Sequence, residues 1–336
     1  MSKRHILSAI LLGMILISGC RDTAPATYKH SREVMGTFAE ITAVAPTRLI
    51  ARAAVDAAYA RLDDVNSLMS DYIPGSEVGR LNALAAGQSL VVSPETFEVL
   101  ARAREFSEAS GGAFDITYRP LKEVWKQAAD NNALPAQLLL DETRRRVGYD
   151  KLLLDPATRT VTPTIDGLQI DLGGIAKGYA LDLAAQAALG AGATAVLVNV
   201  GGDVLAVGAQ ASGQPWRIGI RHPFERGLVG RIALCGHRAV ATSGTQQRFS
   251  VIGGKRYSHI IDPRTGRPAE QAPSVTVIAP DGITADAWAT VFSILTVEQG
   301  RQLAESLPDA EVMWIWESAD DARSAQTPGF ERYILP

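Results

Sequence analysis

Asp171-Leu172-Gly173-Gly174-Ile175-Ala176-Lys177-Gly178 follows the apolar stretch Leu168 to Leu172 and opens an alanine-rich run from about Ala176 to Leu189. The stretch reads as a short strand and the run as a helix. The paired glycines therefore lie at a helix N-terminus, where unpaired backbone amides favour an anion. Lacking a Cβ, they let the backbone come close to a ligand, and Asp171 beside them offers the hard oxygen that a divalent cation prefers. Lys177, in the first helical turn, is placed for phosphate. A helical lysine is often simply solvated, and the adjoining Gly-Gly turn is what supports the phosphate reading. Together these features suggest a Mg-assisted phosphate site.

Outward from this string the chain is mixed. Val34 to Val44 is rich in β-forming residues. Thr47 to Met69 has apolar side chains at Leu49, Ala53, Ala57, Leu62, Val65 and Leu68, the spacing of an amphipathic helix, with Thr47 as its cap. A second helix begins at Ser93-Pro94 and ends at Gly111-Gly112. Short strands are expected at 195–200, 204–207, 216–220, 228–234 and 275–278, then a helix from Thr284 to Leu295 and a strand from Val312 to Trp316. One strand-helix-strand step among several hairpin-like strands points to an α+β fold, not a doubly wound sheet. Residues 34–150 carry more helix and 166–290 carry most of the chemical strings, so two interleaved lobes with a cleft between them are expected.

Three further strings bear chemistry: Asn199-Val-Gly-Gly-Asp203, His259-Ile-Ile-Asp-Pro-Arg-Thr-Gly-Arg-Pro268 and Thr284-Ala-Asp-Ala-Trp-Ala-Thr290. Asp286 and Thr290, four apart on a helix, present two oxygens from one face. Mg2+ needs few protein ligands, since water and substrate phosphates complete its shell. The plainer reading of Asp286 is a helix-start carboxylate favoured by the macrodipole, with Thr284 as cap. His259 is the histidine that stands inside a chemical string, and an imidazole there can accept a proton from an attacking hydroxyl. Asp262-Pro263 is a natural turn. Gly190-Ala-Gly-Ala-Thr-Ala195 looks like a dinucleotide fingerprint but follows a helix instead of a strand. The Lys177 string lacks P-loop spacing, Ser243 has no nucleophile elbow, and there is no Cys-His cluster. Phosphoryl-type transfer is the chemistry that remains.

In wording and order these strings resemble the ApbE family, the FAD:protein FMN transferases. Met35-Gly36-Thr37, Ala113-Phe114-Asp115-Ile116-Thr117 and Ala241-Thr242-Ser243-Gly244 extend the likeness over most of the chain after residue 30, with Ile116 where the family commonly has proline. The resemblance implies a single ApbE-like unit that holds FAD in its cleft. It implies Met35, Tyr72, Ala113, Phe114, Asp115, Asp171, Lys177, Thr242, His259 and Ile260 as FAD-binding residues. It implies a Mg2+ ion on Asp286, Thr290 and the Gly174 carbonyl, and His259 and Asp286 as catalytic. The implied reaction moves FMN from FAD to a threonine or serine of a respiratory or electron-transfer flavoprotein and releases AMP. An FAD pyrophosphatase and a non-catalytic FAD-binding lipoprotein are the alternatives.

Met1-Ser-Lys-Arg-His5, the apolar run Ile6 to Ile17 and Ser18-Gly19-Cys20 describe a secretory signal too short to span a bilayer comfortably. Leu16-Ile-Ser-Gly-Cys20 has the form of a lipobox. Residues 1–19 are therefore expected to be a lipoprotein signal, lipidated Cys20 a membrane anchor at a periplasm-facing surface, 20–32 a tether and 33–336 the catalytic domain. With Cys235 as the other cysteine, a lipidated Cys20 leaves no internal disulfide. A formal net charge of −3 argues against a nucleic-acid partner.

Overall fold

The computed structural model describes residues 24–244, 249–269, 274–317 and 322–336, and these build a sheet whose order in space is its order in sequence. Its strands are β1 (Ala26–Val34), β2 (Thr37–Ala45), β3 (Ala195–Val200), β4 (Asp203–Gly208), β5 (Gly236–Ser243), β6 (Ser274–Ala279), β7 (Glu311–Glu317) and β8 (Ala322–Gln326). All neighbours are antiparallel. Between β2 and β3 the chain departs to form α1 (Arg48–Met69), α2 (Pro94–Ala109), α3 (Arg119–Asp130) and α4 (Ala176–Gly190), and α5 (Gly282–Ile294) follows β6. The class is α+β.

One face of the sheet, with Ile41, Val198, Leu205, Val277 and Trp314, packs under the helices in the main core. The other face, with Val44, Ala206, Val240, Ile278 and Ile315, is covered by Trp216, Ile220, Ile232 and Leu234 of the hairpin 216–234 and by Phe330. Every residue of β6 is therefore buried, including the polar Ser274 and Thr276 among its valines and isoleucine. A small satellite core joins Leu121 and Val124 of α3 to Leu140, Val147 and Ile261.

Several expectations are corrected. Residues 26–32 are not tether but most of β1, an edge strand. Its outward side chains stand in water, so Tyr28-Lys-His-Ser-Arg-Glu33 shows no apolar alternation. The run from Val34 to Val44 is not one strand, because Met35 and Gly36 turn it at φ +53° and +67°, the two-residue hairpin geometry. Leu168 to Leu172 is extended but makes a single bridge, Gln169 to Tyr118, instead of joining a sheet. Helix α1 buries Ala51, Ala54, Val55, Ala58, Tyr59, Leu62, Val65 and Met69, while Leu49 is exposed. Its many alanines make several faces look apolar, and the large side chains Val55, Tyr59 and Leu62 choose among them. The caps hold as expected: Thr47 accepts from the Ile50 amide at 3.3 Å and Ser93 from the Thr96 amide at 3.2 Å. Residues 1–23, with Cys20, lie outside the described residues.

The crossing of α4 and α5 positions the site. A Cβ on Gly178 would run into the carbonyl oxygen of Gly282 and stand 2.8 Å from Cβ of Asp286. Only two facing glycines let the helix backbones approach this closely. Asp182, one turn further along α4, clamps the start of α5 by accepting from the amides of Gly282 at 2.6 Å and Ile283 at 3.0 Å. Gly178→Ala is expected to destabilise the fold by about 3 kcal/mol, because backbone and not a flexible side-chain end stands in the way; thermal melting of the variant measures this. Burial pushes the Asp182 carboxyl up to about 7, against the pull of the two amides, whereas in the unfolded chain it ionises near about 4. Its contribution to stability is complete below about pH 4 and is lost as pH rises through about 7. Urea unfolding of Asp182→Asn should accordingly show a flatter dependence on pH over that window than the unaltered chain.

Candidate functional site

Lys177, in the first turn of α4, is only 28 % exposed and points between two buried carboxylates. It pairs with Asp203, the first residue of β4, and donates to Oδ1 of Asp286 at 3.0 Å. The other oxygen of Asp286 accepts from the Gly178 amide at 3.0 Å, and Oδ1 of Asp203 accepts from the Thr242 amide at 3.2 Å. Burial alone would pull the ammonium's pKa down, but the two carboxylates outweigh it and hold it above the ordinary lysine value. Burial lifts the Asp286 carboxyl above its usual range and Asp203 adds to this, while Lys177 and the Gly178 amide oppose both. Asp286 does not begin its helix. The cap is Asp281, which accepts from the Thr284 amide at 2.9 Å, and Asp286 faces inward one turn later.

Gly174, just ahead of α4, stands against Thr290, one turn beyond Asp286 on α5. A Cβ there would lie 3.0 Å from the Thr290 hydroxyl oxygen and 3.4 Å from the Phe114 ring. The Asp171 string, the Thr284 string and Phe114 therefore converge on one point. Among the described residues no group of three or more His, Cys, Asp or Glu is arranged to hold a metal. The side-chain oxygens on this face of α5 are the Asp286 carboxylate and the Thr290 hydroxyl, hard donors that suit a cation sharing its shell with ligand phosphates and water.

A second charged cluster adjoins through Asp171. One oxygen of this buried carboxylate meets Lys122 at 2.5 Å and the other accepts from the Gly173 amide at 2.7 Å, fixing the glycine turn. Asp71, which pairs with Arg119, lies 3.9 Å from the same lysine. Burial raises the Tyr118 hydroxyl well above its usual pKa, and Asp171 and Asp71 raise it further. Tyr72 is 78 % exposed, with the Lys122 ammonium 5.5 Å from its ring centre, so it offers an open aromatic platform beside the cluster.

The remaining expected residues fall in distinct places. Met35 and Gly36 form the β1–β2 turn, and a Cβ on Gly201 would lie 3.1 Å from Thr37, so the Met-Gly-Thr string abuts the glycines that precede Asp203. Ala113 is fully buried, and Phe114 sits edge-on to Phe106. Asp115 is buried with both oxygens in use, by the Thr117 amide and hydroxyl at 2.8 and 2.6 Å and by the Tyr149 amide at 2.9 Å. Thr242 shares a hydrogen bond with Thr276 at 3.0 Å. His259 is exposed in the bend after the strand 255–258, and Ile260 is buried behind it, its carbonyl accepting from Ala269 at 2.9 Å. Sequence reasoning quoted Asp203 within a string but gave it no role. It missed Lys122 and Asp71 altogether, because they stand on other elements with no motif around them.

A model of the ApbE family matches residues 35–314. A relative from Rhodobacter capsulatus, named FAD:protein FMN transferase, is 34 % identical over 330 residues, covering 95 % of this chain and 61 % of its own length. A Vibrio cholerae relative of the same name is 31 % identical, covering 96 % and 97 %. The crystal structure of an ApbE protein from Thermotoga maritima superimposes with a TM-score of 0.83 at 31 % identity, over 93 % of this chain and all of that one. The glycine turn, Asp286 and Thr290 all lie within the matched residues, and the chain belongs to the ApbE family.

Proposed function

We propose that this chain is an FAD:protein FMN transferase, which moves the FMN part of FAD onto a threonine or serine hydroxyl of an acceptor flavoprotein and releases AMP. The observation that carries the reading is the meeting of Gly174 with Thr290, one helical turn from the ammonium-bridged pair Asp203 and Asp286, in a chain whose relatives bear that name. The oxygen donors fit Mg2+, which Asp286, Thr290 and the Gly174 carbonyl would hold, and which supplies charge neutralisation on the pyrophosphate when bound.

In the step itself the acceptor hydroxyl oxygen forms a bond to the FMN phosphorus, and the phosphoanhydride bond to AMP breaks with its electron pair leaving on AMP. His259 takes the hydroxyl proton. Lys177 keeps Asp286 and Asp203 charged and in place. Tyr72 gives the isoalloxazine or adenine ring a face to stack on, and the Asp171 carboxylate, held by Lys122, sits where it orients the flavin nucleotide. Lipidation of Cys20 would set the enzyme at the membrane of a bacterial envelope, facing the periplasm, where a flavoprotein subunit of a respiratory or electron-transfer complex is its acceptor.

The test mixes the full chain with FAD, Mg2+ and an apo-flavoprotein that the Vibrio cholerae relative flavinylates. AMP release and flavin fluorescence retained by the acceptor on a denaturing gel are the readouts. Covalent fluorescence is expected. AMP without it would mean a pyrophosphatase, and neither would mean FAD storage. Asp286→Ala should lose labelling by at least about a hundredfold, the scale on which removing one transition-state charge partner acts; undiminished labelling removes Asp286 from the site.

A further inference from the structure

Beyond the nucleotide site, one face of the molecule combines exposed apolar side chains with positive charge. The strands 249–252 and 255–258 form a two-stranded hairpin. Its inner face packs through Tyr257 onto Trp125 of α3, with ring centres 5.5 Å apart, and through buried Ile252. Its outer face presents Phe249 and Val251, the latter half exposed, with the Arg256 guanidinium 4.4 Å above the Phe249 ring. The Gly253 amide at the hairpin tip donates to Asn132 at 2.8 Å, and Arg267 donates to Gln137 at 2.5 Å. The first bond brings the hairpin, and the second the strand 267–268, beside the segment bearing Leu134, Leu138 and Leu139, all exposed, Leu138 by 70 %. Solvent-facing leucines, valine and phenylalanine on adjoining segments are the mark of an interaction surface.

Charge and position say what it receives. Arg256 stands opposite Val251 on the outer face, and Lys255 is exposed at the hairpin tip opposite Ile252; neither has a carboxylate partner among the described residues, and each lies over a neighbouring aromatic ring instead. In a chain of net charge −3 this is a local positive surface that asks for an acidic partner. The hairpin runs straight into His259. The next turn, 262–266, reaches the glycines ahead of Phe114, since a Cβ on Gly112 would lie 3.8 Å from Cγ of Arg264, and Phe114 in turn adjoins Gly174. The apolar and basic surface is thus continuous with the place where an acceptor hydroxyl must arrive.

We propose that the outer face of the hairpin 249–258, together with the segment 134–139, is the docking surface for the acceptor protein, and that it takes an extended segment carrying acidic and apolar side chains around the hydroxyl to be flavinylated. This rests on the transferase reading and assigns to it a surface that the nucleotide does not use.

The experiment measures initial rates of flavin transfer to the same apo-flavoprotein for the full chain and for Val251→Asp, Leu138→Asp and the double variant Lys255→Glu/Arg256→Glu. The KM for acceptor should rise at least about tenfold in each, with FAD affinity from flavin fluorescence and thermal melting unchanged. For the unaltered chain that KM should rise with salt, and for the double variant it should rise less. An unchanged acceptor KM in the folded variants overturns the proposal, and so does a fall in FAD affinity that parallels the loss, which would make the surface part of the nucleotide site. Leu138→Asp lies outside the hairpin, so misfolding of a hairpin variant leaves the test standing. Failure of the unaltered chain to label an acceptor that the Vibrio cholerae relative labels in parallel sinks the transferase reading itself; labelling that the variants match sinks only the docking surface.

Discussion

Helices α4 and α5 meet backbone to backbone at Gly178 and Gly282, and the chemistry of the site hangs on that contact. A helix pair separated by ordinary side chains lies 8–10 Å apart between axes. At such a spacing the Gly178 amide would not reach the Asp286 carboxylate, and Lys177 would not bridge from α4 to both α5 and β4. The glycines are therefore distance setters. Asp182 completes the device by satisfying the first amides of α5, which would otherwise be orphaned inside the protein.

The contact creates an electrostatic demand. One ammonium faces two buried carboxylates, so the Lys177 cluster keeps a formal charge of one negative unit. A buried charge left uncompensated is expensive, and the nearby Thr290 hydroxyl and open glycine backbone at Gly174 supply oxygens but no countercharge. In the proposed reaction that imbalance is what a bound cation, and through it phosphate, would offset. The Asp171 cluster is built differently, with Lys122 and Arg119 set against Asp171 and Asp71, so its formal charges cancel.

What could be read from the sequence follows from how local each signal is. Caps at Thr47 and Ser93 are encoded within a few residues and appear where the pattern puts them, and the α+β class and the helix that carries both Asp286 and Thr290 also hold. Strand β1 was illegible because an edge strand with a wet outer face carries no period-two apolar signal. The buried face of α1 was misplaced because alanine fits every side of a helix. Lys177 read as a phosphate ligand, since its partners Asp203 and Asp286 are distant in sequence and only the Gly178–Gly282 crossing brings them in. Lys122 and Asp71 were invisible for the same reason.

The two halves of the proposed reaction are mounted differently. The cation-demanding cluster stands on α4, α5 and β4, elements sunk in the main core and pinned by glycine contacts that tolerate no displacement. His259 belongs to small hairpins held through Trp125, Tyr257, Leu121 and Ile261, a satellite with few buried side chains. Phosphorus chemistry gains from fixed charges that need no rearrangement at the moment of reaction. A protein acceptor, by contrast, must thread a hydroxyl past whatever carries the proton-accepting group, which favours placing that group on an element with less burial to give up. Division of labour between a rigid core site and a lightly anchored flank is what a nucleotide substrate and a polypeptide substrate together demand.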